Sequence, residues 1–285
     1  MNKLLPVLAL STLALAGCSA PAQDDGLVHI VASTSVWGDI ASQVAGDHAS
    51  VTSFIDGAGV DPHSFEASAR DQLAIAGADL IIENGGGYDP FMDSLVEAAD
   101  AQGALLNAFD ASGLPGPNEH VWYSFIGTSK VVTAIVDELS TIDPANAADY
   151  SANGEALAGT IDGLETRANN LASEGDVAVT EPVPVYLLQA AGLTNVTPED
   201  FTEAIEEGND VPPLALQETL ALLSGKKVRL LAYNSQTASP ETEQVRAAAE
   251  ANEIPVVEFT ETMPDGADYV SWMTDNLSAI SAVVK

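Results

Sequence analysis

Twice along this chain, short apolar runs alternate with helix-like ones, and between the two series residues 143–173 hold no strand-like run. In the first series, strands are expected at 27–33, 51–55, 79–83 and 104–108. Helices are expected at 36–44, 67–76, 90–99 and 128–139. In the second, strands are expected at 177–180, 227–233 and 254–260. Helices are expected at 183–191, from Thr197-Pro198-Glu199-Asp200 onward, at 239–252 and at 269–284. Strands alternating with helices argue for βαβ units and parallel sheets. In the gap, Asp143-Pro144 offers an N-cap and a first-turn proline, and Leu157, Ile161, Leu164 and Leu171 form a stripe at helical spacing. Gly154, Gly159 and Gly163 weaken that helix locally and leave room for a bend. The expected fold is therefore α/β, with two lobes, each a mainly parallel sheet flanked by helices, joined by one long backbone helix. The lobes are expected at 27–142 and 175–285, with the linking helix at 143–174.

The first residues stand apart from this plan. Lys3 supplies a positive start, and 4–16 form an apolar run too short to span a bilayer. They lead into Leu15-Ala16-Gly17-Cys18, which resembles the lipobox of bacterial lipoproteins. That resemblance implies a signal peptide at 1–17, a diacylglycerol on Cys18 and a tether at 18–26. The protein would then be an exported lipoprotein on the outer face of the cell membrane, or on the periplasmic side. The plainer alternative is an ordinary secretory signal with a chance cysteine. Cys18 is the only cysteine, so an exported chain of this kind folds without disulfides. It must cohere through its core, and roughly 260 residues suffice for two lobes.

The net charge is −33, from 42 acidic against 9 basic residues. That excludes a phosphate-binding surface of the usual kind, and with it nucleic acid as a partner. Solubility accounts for the charge as well as cation attraction does, because screening over about 8 Å makes such attraction nonspecific.

Four residues stand out as a candidate metal site: His63, His120, Glu181 and Glu261. His63 lies in the loop Gly59-Val60-Asp61-Pro62-His63-Ser64-Phe65-Glu66, after the strand expected at 51–55. Glu181 and Glu261 each directly follow an expected strand, and ligands of open α/β sheets gather outside the carboxyl ends of strands. His120 lies in Asn118-Glu119-His120-Val121-Trp122-Tyr123, after a Pro/Gly-rich stretch. With no second thiol, a metal here must use imidazole and carboxylate.

These segments resemble the metal-binding solute receptors of zinc and manganese ABC transporters, over the whole mature chain. Asp61-Pro62-His63-Ser64-Phe65-Glu66 is similar to that family's Asp-Pro-His-x-Tyr-Glu, with Phe65 replacing tyrosine. His120-Val121-Trp122 matches its His-Val-Trp, followed here by Ser124-Phe125 where Asp-Pro is usual. Pro144, Asn146, Tyr150 and Asn153 match the start of its backbone helix. Glu181, Tyr186 and Gly192-Leu193 match its third ligand segment, and Phe259-Thr260-Glu261 the fourth, where Asp is usual. The resemblance implies a receptor that holds a divalent metal between two lobes and delivers it to a permease driven by an ATPase. It implies no catalysis and a monomer.

Each assignment has a plainer counterpart. Glu181 could be a helix-start acid before Pro182 and Glu261 a solvated loop acid, with Asp265 or Asp268 as substitute ligands. His29 and His48 match no ligand segment and read as surface residues. Trp122 and Phe65 read as packing, while Asp61, Glu66 and Glu119 are candidates to hold imidazole N–H groups. Two imidazoles and two carboxylates suit zinc in a tetrahedral set, or manganese and ferrous iron where carboxylates bind bidentately. Residues 87–117 lack the His-rich insertion common in dedicated zinc receptors, which lowers zinc without removing it. An exported zinc hydrolase is one rival, but neither His-Glu-x-x-His nor Gly-x-Ser-x-Gly occurs. A receptor for an organic metal chelate is another; Arg70, Arg167, Arg229 and Arg246 are the only arginines available to line its pocket. Nothing in the sequence points to an adhesin.

Overall fold

The computed structural model describes residues 26–57, 65–171 and 173–284. The lipobox with Cys18 and the loop carrying Asp61 and His63 lie outside them. The first sheet is built from β1 (Val28–Thr34), β2 (Ala49–Ile55), β3 (Leu80–Glu83) and β4 (Ala104–Asn107). All pairings are parallel, in the order β2-β1-β3-β4. The second comprises β5 (Gly175–Val179), β6 (Leu193–Asn195), β7 (Leu231–Asn234) and β8 (Val256–Phe259). Its order β6-β5-β7-β8, again parallel, repeats the first. Strands such as Leu80–Glu83 and Leu231–Asn234 are buried at every position, as sheets covered on both faces require.

The covering helices of the first lobe are α1 (Ser35–Ala45), α2 (Ala69–Ala76), α3 (Pro90–Ala99), α4 (Ala108–Ser112) and α5 (Phe125–Ile142). Ser68 starts α2 with a reciprocal capping box to Asp71. After α6 (Ala147–Asn169) come α7 (Val185–Ala190), α8 (Glu199–Glu206), α9 (Pro213–Ser224), α10 (Pro240–Ala251) and α11 (Tyr269–Val284).

The linking helix starts later than the sequence suggests. Asp143 does not cap it; its Oδ2 accepts instead from Asn146 Nδ2 at 2.6 Å and from Tyr150 Oη at 2.7 Å, closing a turn after α5. With that carboxylate taken by side chains, α6 begins at Ala147. Thr197 likewise serves the sheet, accepting from the Val179 backbone N–H at 2.8 Å, and Pro198 takes the position ahead of α8. The strand expected at 227–233 begins only at Leu231. Three elements escaped the sequence pattern. α4 and β6 have five and three residues, and the fully buried positions of α9 are Ala215, Leu223 and the polar Thr219 between them.

Tyr150, Gly154, Leu157, Ile161, Leu164 and Ala168 form the buried stripe of α6. It packs against α1 and α5 of the first lobe and α7 and α11 of the second. A Cβ on Gly154 would lie 2.4 Å from Val136 Cγ2, so glycine lets α5 and α6 approach closely. One continuous apolar core runs through this helix from β1 to α11, with a satellite core outside each sheet.

Candidate metal centre

Side chains from both sheets converge where the strand order switches beside β1 and beside β5, the crevice such sheets use for ligands. His120 enters from the loop before a 3-10 turn at Val121–Tyr123 and is 1% exposed. Its ring is walled by Trp122 and Tyr88, edge-on at centroid distances of 5.2 and 5.8 Å. Asn118 Oδ1 accepts from the His120 backbone N–H at 3.0 Å and lies 2.9 Å from its Nδ1. A backbone N–H can only donate, so the atom facing both is the amide oxygen, and Nδ1 carries the proton. Nε2 is thereby the basic nitrogen, the one that can ligate.

The loop is held from several sides. Asn84 Nδ2 donates to the Glu119 carbonyl at 3.0 Å, and Asn118 Nδ2 reaches the Pro182 carbonyl at 3.1 Å in the other lobe. Tyr186 Oη donates to the Asn118 carbonyl at 3.0 Å. Gly85 (φ +73°) turns the chain after β3; a Cβ there would fall 2.0 Å from Asn107 Nδ2.

Glu181 and Glu261 follow β5 and β8 and are 2% and 1% exposed. Neither is a solvated acid. Asn234, the last residue of β7, donates through one Nδ2 to Glu181 Oε2 and, at 2.7 Å, to Glu261 Oε1. Its Oδ1 accepts from the Gln236 backbone N–H at 3.0 Å, which fixes the amide's orientation. Burial pushes the Tyr88 hydroxyl well above the ordinary phenol pKa, and the adjacent Glu261 carboxylate pushes it further. Tyr88 is therefore a fixed donor against Glu261 as well as a wall of His120. In this way His120 and Glu261 meet at Tyr88, and the two carboxylates meet at Asn234.

Gln236 also holds the fourth segment: its Oε1 accepts from the backbone N–H of Glu261 at 2.5 Å and of Thr262 at 3.3 Å. Gln236 Nε2 donates to Thr262 Oγ1, whose own proton goes to the Gly57 carbonyl at 3.1 Å. Gly57 is the last described residue before the His63 loop, so a relay of hydrogen bonds joins the Glu261 segment to the root of that loop. Tyr123 Oη, donating to the Thr260 carbonyl at 2.7 Å, adds a further staple between the lobes.

The other acids near the fourth segment point elsewhere. Asp265 and Asp268 are not buried with Glu261, and Asp268 Oδ1 accepts from the Ser271 backbone N–H at 2.7 Å at the start of α11. Phe65 packs on Phe91 with centroids 4.7 Å apart, and Glu66 is exposed. His29 is exposed, and His48 pairs with Asp149 at 2.9 Å. Asn118, not Glu119, contacts the His120 ring nitrogen at hydrogen-bond distance, and Asn234 had no counterpart among the sequence candidates. Its signal was available, since it too closes an expected strand.

A cleft of about 620 Å³ opens beside His120, lined by Gly86, Asn118, Glu119, Pro182, Glu203 and Glu206. Ligating atoms of Glu119, His120 and Glu206 lie within 4.8 Å of one another, with Glu206 Oε1 3.8 Å from His120 Nδ1. A cation held by Glu206 at Nδ1 would compete with Asn118 for that nitrogen.

The family described as "Zinc-uptake complex component A periplasmic" matches residues 30–283. The manganese ABC transporter substrate-binding lipoprotein ScaA of Streptococcus gordonii is 27% identical over 309 residues, covering 98% of this chain and 97% of the relative. The manganese-binding lipoprotein MntA of Halalkalibacterium halodurans is 32% identical over 168 residues, 56% of each chain. Among solved structures, the Pseudomonas aeruginosa binding protein FpvC in complex with Ni2+ superposes with a TM-score of 0.75 at 23% identity, covering 90% of this chain and 97% of that one. A Mn-bound point mutant of a periplasmic metal-binding protein from Candidatus Liberibacter asiaticus gives 0.75 at 20% identity, covering 90% of this chain and 100% of that one.

Proposed function

Because this chain belongs to the family of periplasmic A components of zinc-uptake complexes, we propose that His63, His120, Glu181 and Glu261 hold its metal between the two lobes. The protein is an extracytoplasmic substrate-binding receptor for a divalent transition metal and not an enzyme. As the binding component of an ABC transporter, it has a permease and an ATPase as partners. The exported hydrolase suggested as a rival is set aside by that membership.

One observation carries the ligand reading. Glu181 and Glu261 are buried side by side, held together by the amide of Asn234, with the Tyr88 hydroxyl against Glu261. Two carboxylates in so dry a place are costly unless a cation compensates them. The imidazole with Nδ1 committed to Asn118 supplies a neutral nitrogen donor beside them. Four protein donors leave little room for a reactive water, which suits capture and release over catalysis. Zinc or manganese is the cargo, and ferrous iron fits the same donors. The receptor acts as a monomer, lobes at 27–142 and 175–285 joined through 143–174, and is tethered through a lipid on Cys18.

The test is competitive loading at buffered free zinc, manganese and ferrous iron, read by elemental analysis. The wild type should take a single equivalent. His63→Ala and His120→Ala should each abolish tight uptake, and Glu181→Gln should weaken manganese more than zinc, because manganese depends more on carboxylate oxygen. Unchanged stoichiometry and affinity in both histidine variants would refute the site.

A further inference from the structure

Resting on that ligand set, we propose that Asn234 is a selectivity-determining positioning residue, which holds both carboxylates monodentate and so biases the site toward a low coordination number. The geometry is specific. One Nδ2 donates to Glu181 Oε2 and to Glu261 Oε1, so one oxygen of each carboxylate is committed to the amide. A bidentate carboxylate must offer both oxygens to the same ion, which this shared donor opposes. The amide cannot rotate away cheaply. Asn234 is 3% exposed, its Oδ1 accepts from the Gln236 backbone N–H, and its own backbone N–H donates to Thr180 Oγ1 at 2.9 Å. Thr180 precedes Glu181 and Gln236 binds the Glu261 backbone, so the residue is braced by both segments that it separates.

The consequence is a choice among cargoes. Zinc has no ligand-field preference and is satisfied by four donors, here two imidazole nitrogens and two carboxylate oxygens. Manganese is harder and favours more oxygens, so it gains most if a carboxylate can swing to bidentate binding. A donor placed between the carboxylates therefore favours zinc over manganese without touching either ion.

X-ray absorption of the zinc- and manganese-loaded full chain, together with competitive zinc/manganese titration, tests this on wild type, Asn234→Ala and Asn234→Asp. Asn234→Asp keeps an acceptor for the Gln236 N–H while removing the donor, so it decides the matter if Asn234→Ala fails to fold. Manganese coordination should gain at least one oxygen in the variants, and the zinc-to-manganese affinity ratio should fall about tenfold, the lower end for removing a partner of a metal ligand. An unchanged coordination number and an unchanged ratio in a folded variant would overturn the proposal. Wild type that takes up no stoichiometric metal would instead overturn the receptor site itself.

Discussion

Asn118 Oδ1 sits 2.9 Å from Nδ1 of His120 and 3.0 Å from the backbone N–H of the same residue, so one oxygen fixes both the loop and the imidazole tautomer. Asn118→Ala should let the ring turn and exchange tautomers while His120 itself stays. Metal affinity should fall about 10–100-fold, the range for losing an outer partner of a ligating histidine. Chelator competition measures it; a fall as deep as that of His120→Ala, or none, would contradict this account.

Thr262 joins Gln236 to the Gly57 carbonyl across the lobes. Thr262→Val keeps the volume and removes the hydroxyl, at a cost of about 1 kcal/mol for the lost hydrogen bonds. The effect should fall on the loop roots, with faster amide exchange near Gly57 and Glu261 and faster metal release. Exchange confined to other parts of the chain would argue against the relay.

The core continuous through α6 opposes hinge motion between the sheets. Metal loading should shift the backbone by about 1 Å or less outside the ligand loops, as in preorganised binders. Small-angle scattering of metal-free and loaded protein should give matching radii of gyration, whereas a clear contraction would show that the lobes swing.

Burial raises the Glu83 carboxyl above its ordinary pKa, with Asp89, Asp93 and Asp110 adding to the shift and Asn107 opposing it. The folded state thus holds this proton more tightly than the unfolded chain. The associated stability is full at pH below the unfolded value and is lost as pH rises through the folded one. In metal-free protein, Glu83→Gln keeps an acceptor for Asn107 Nδ2, now 2.8 Å from Glu83 Oε1. It should stabilise the fold at pH 7 and leave it unchanged at low pH. Thermal melts at the two pH values decide; equal shifts at both would exclude the carboxyl as the cause.

Cys18→Ala should move the protein from the membrane to the soluble fraction, because Cys18 is the only acceptor for a lipid thioether. Membrane fractionation and the mass of the N-terminal peptide check it, and an unmodified cysteine in membrane-bound protein would count against the anchor.

The sequence by itself determined the α/β alternation, the break between its two series and the strand ends where Glu181 and Glu261 stand. Those features are local: apolar period, capping residues and strand-ending acids act within a few positions. The tertiary structure decided what those ends do to one another. Asn234 reaches Glu181 across 53 positions and Glu261 across 27, separations that only the strand order β5-β7-β8 closes. It also decided against Asp143 as a helix cap, since Tyr150 and Asn146 claim its carboxylate in a turn that a linear pattern cannot foresee. Burial explains the difference. A polar side chain in a dry interior takes whichever partner the packing of distant elements delivers, and at this site that partner is an asparagine placed by the end of a strand.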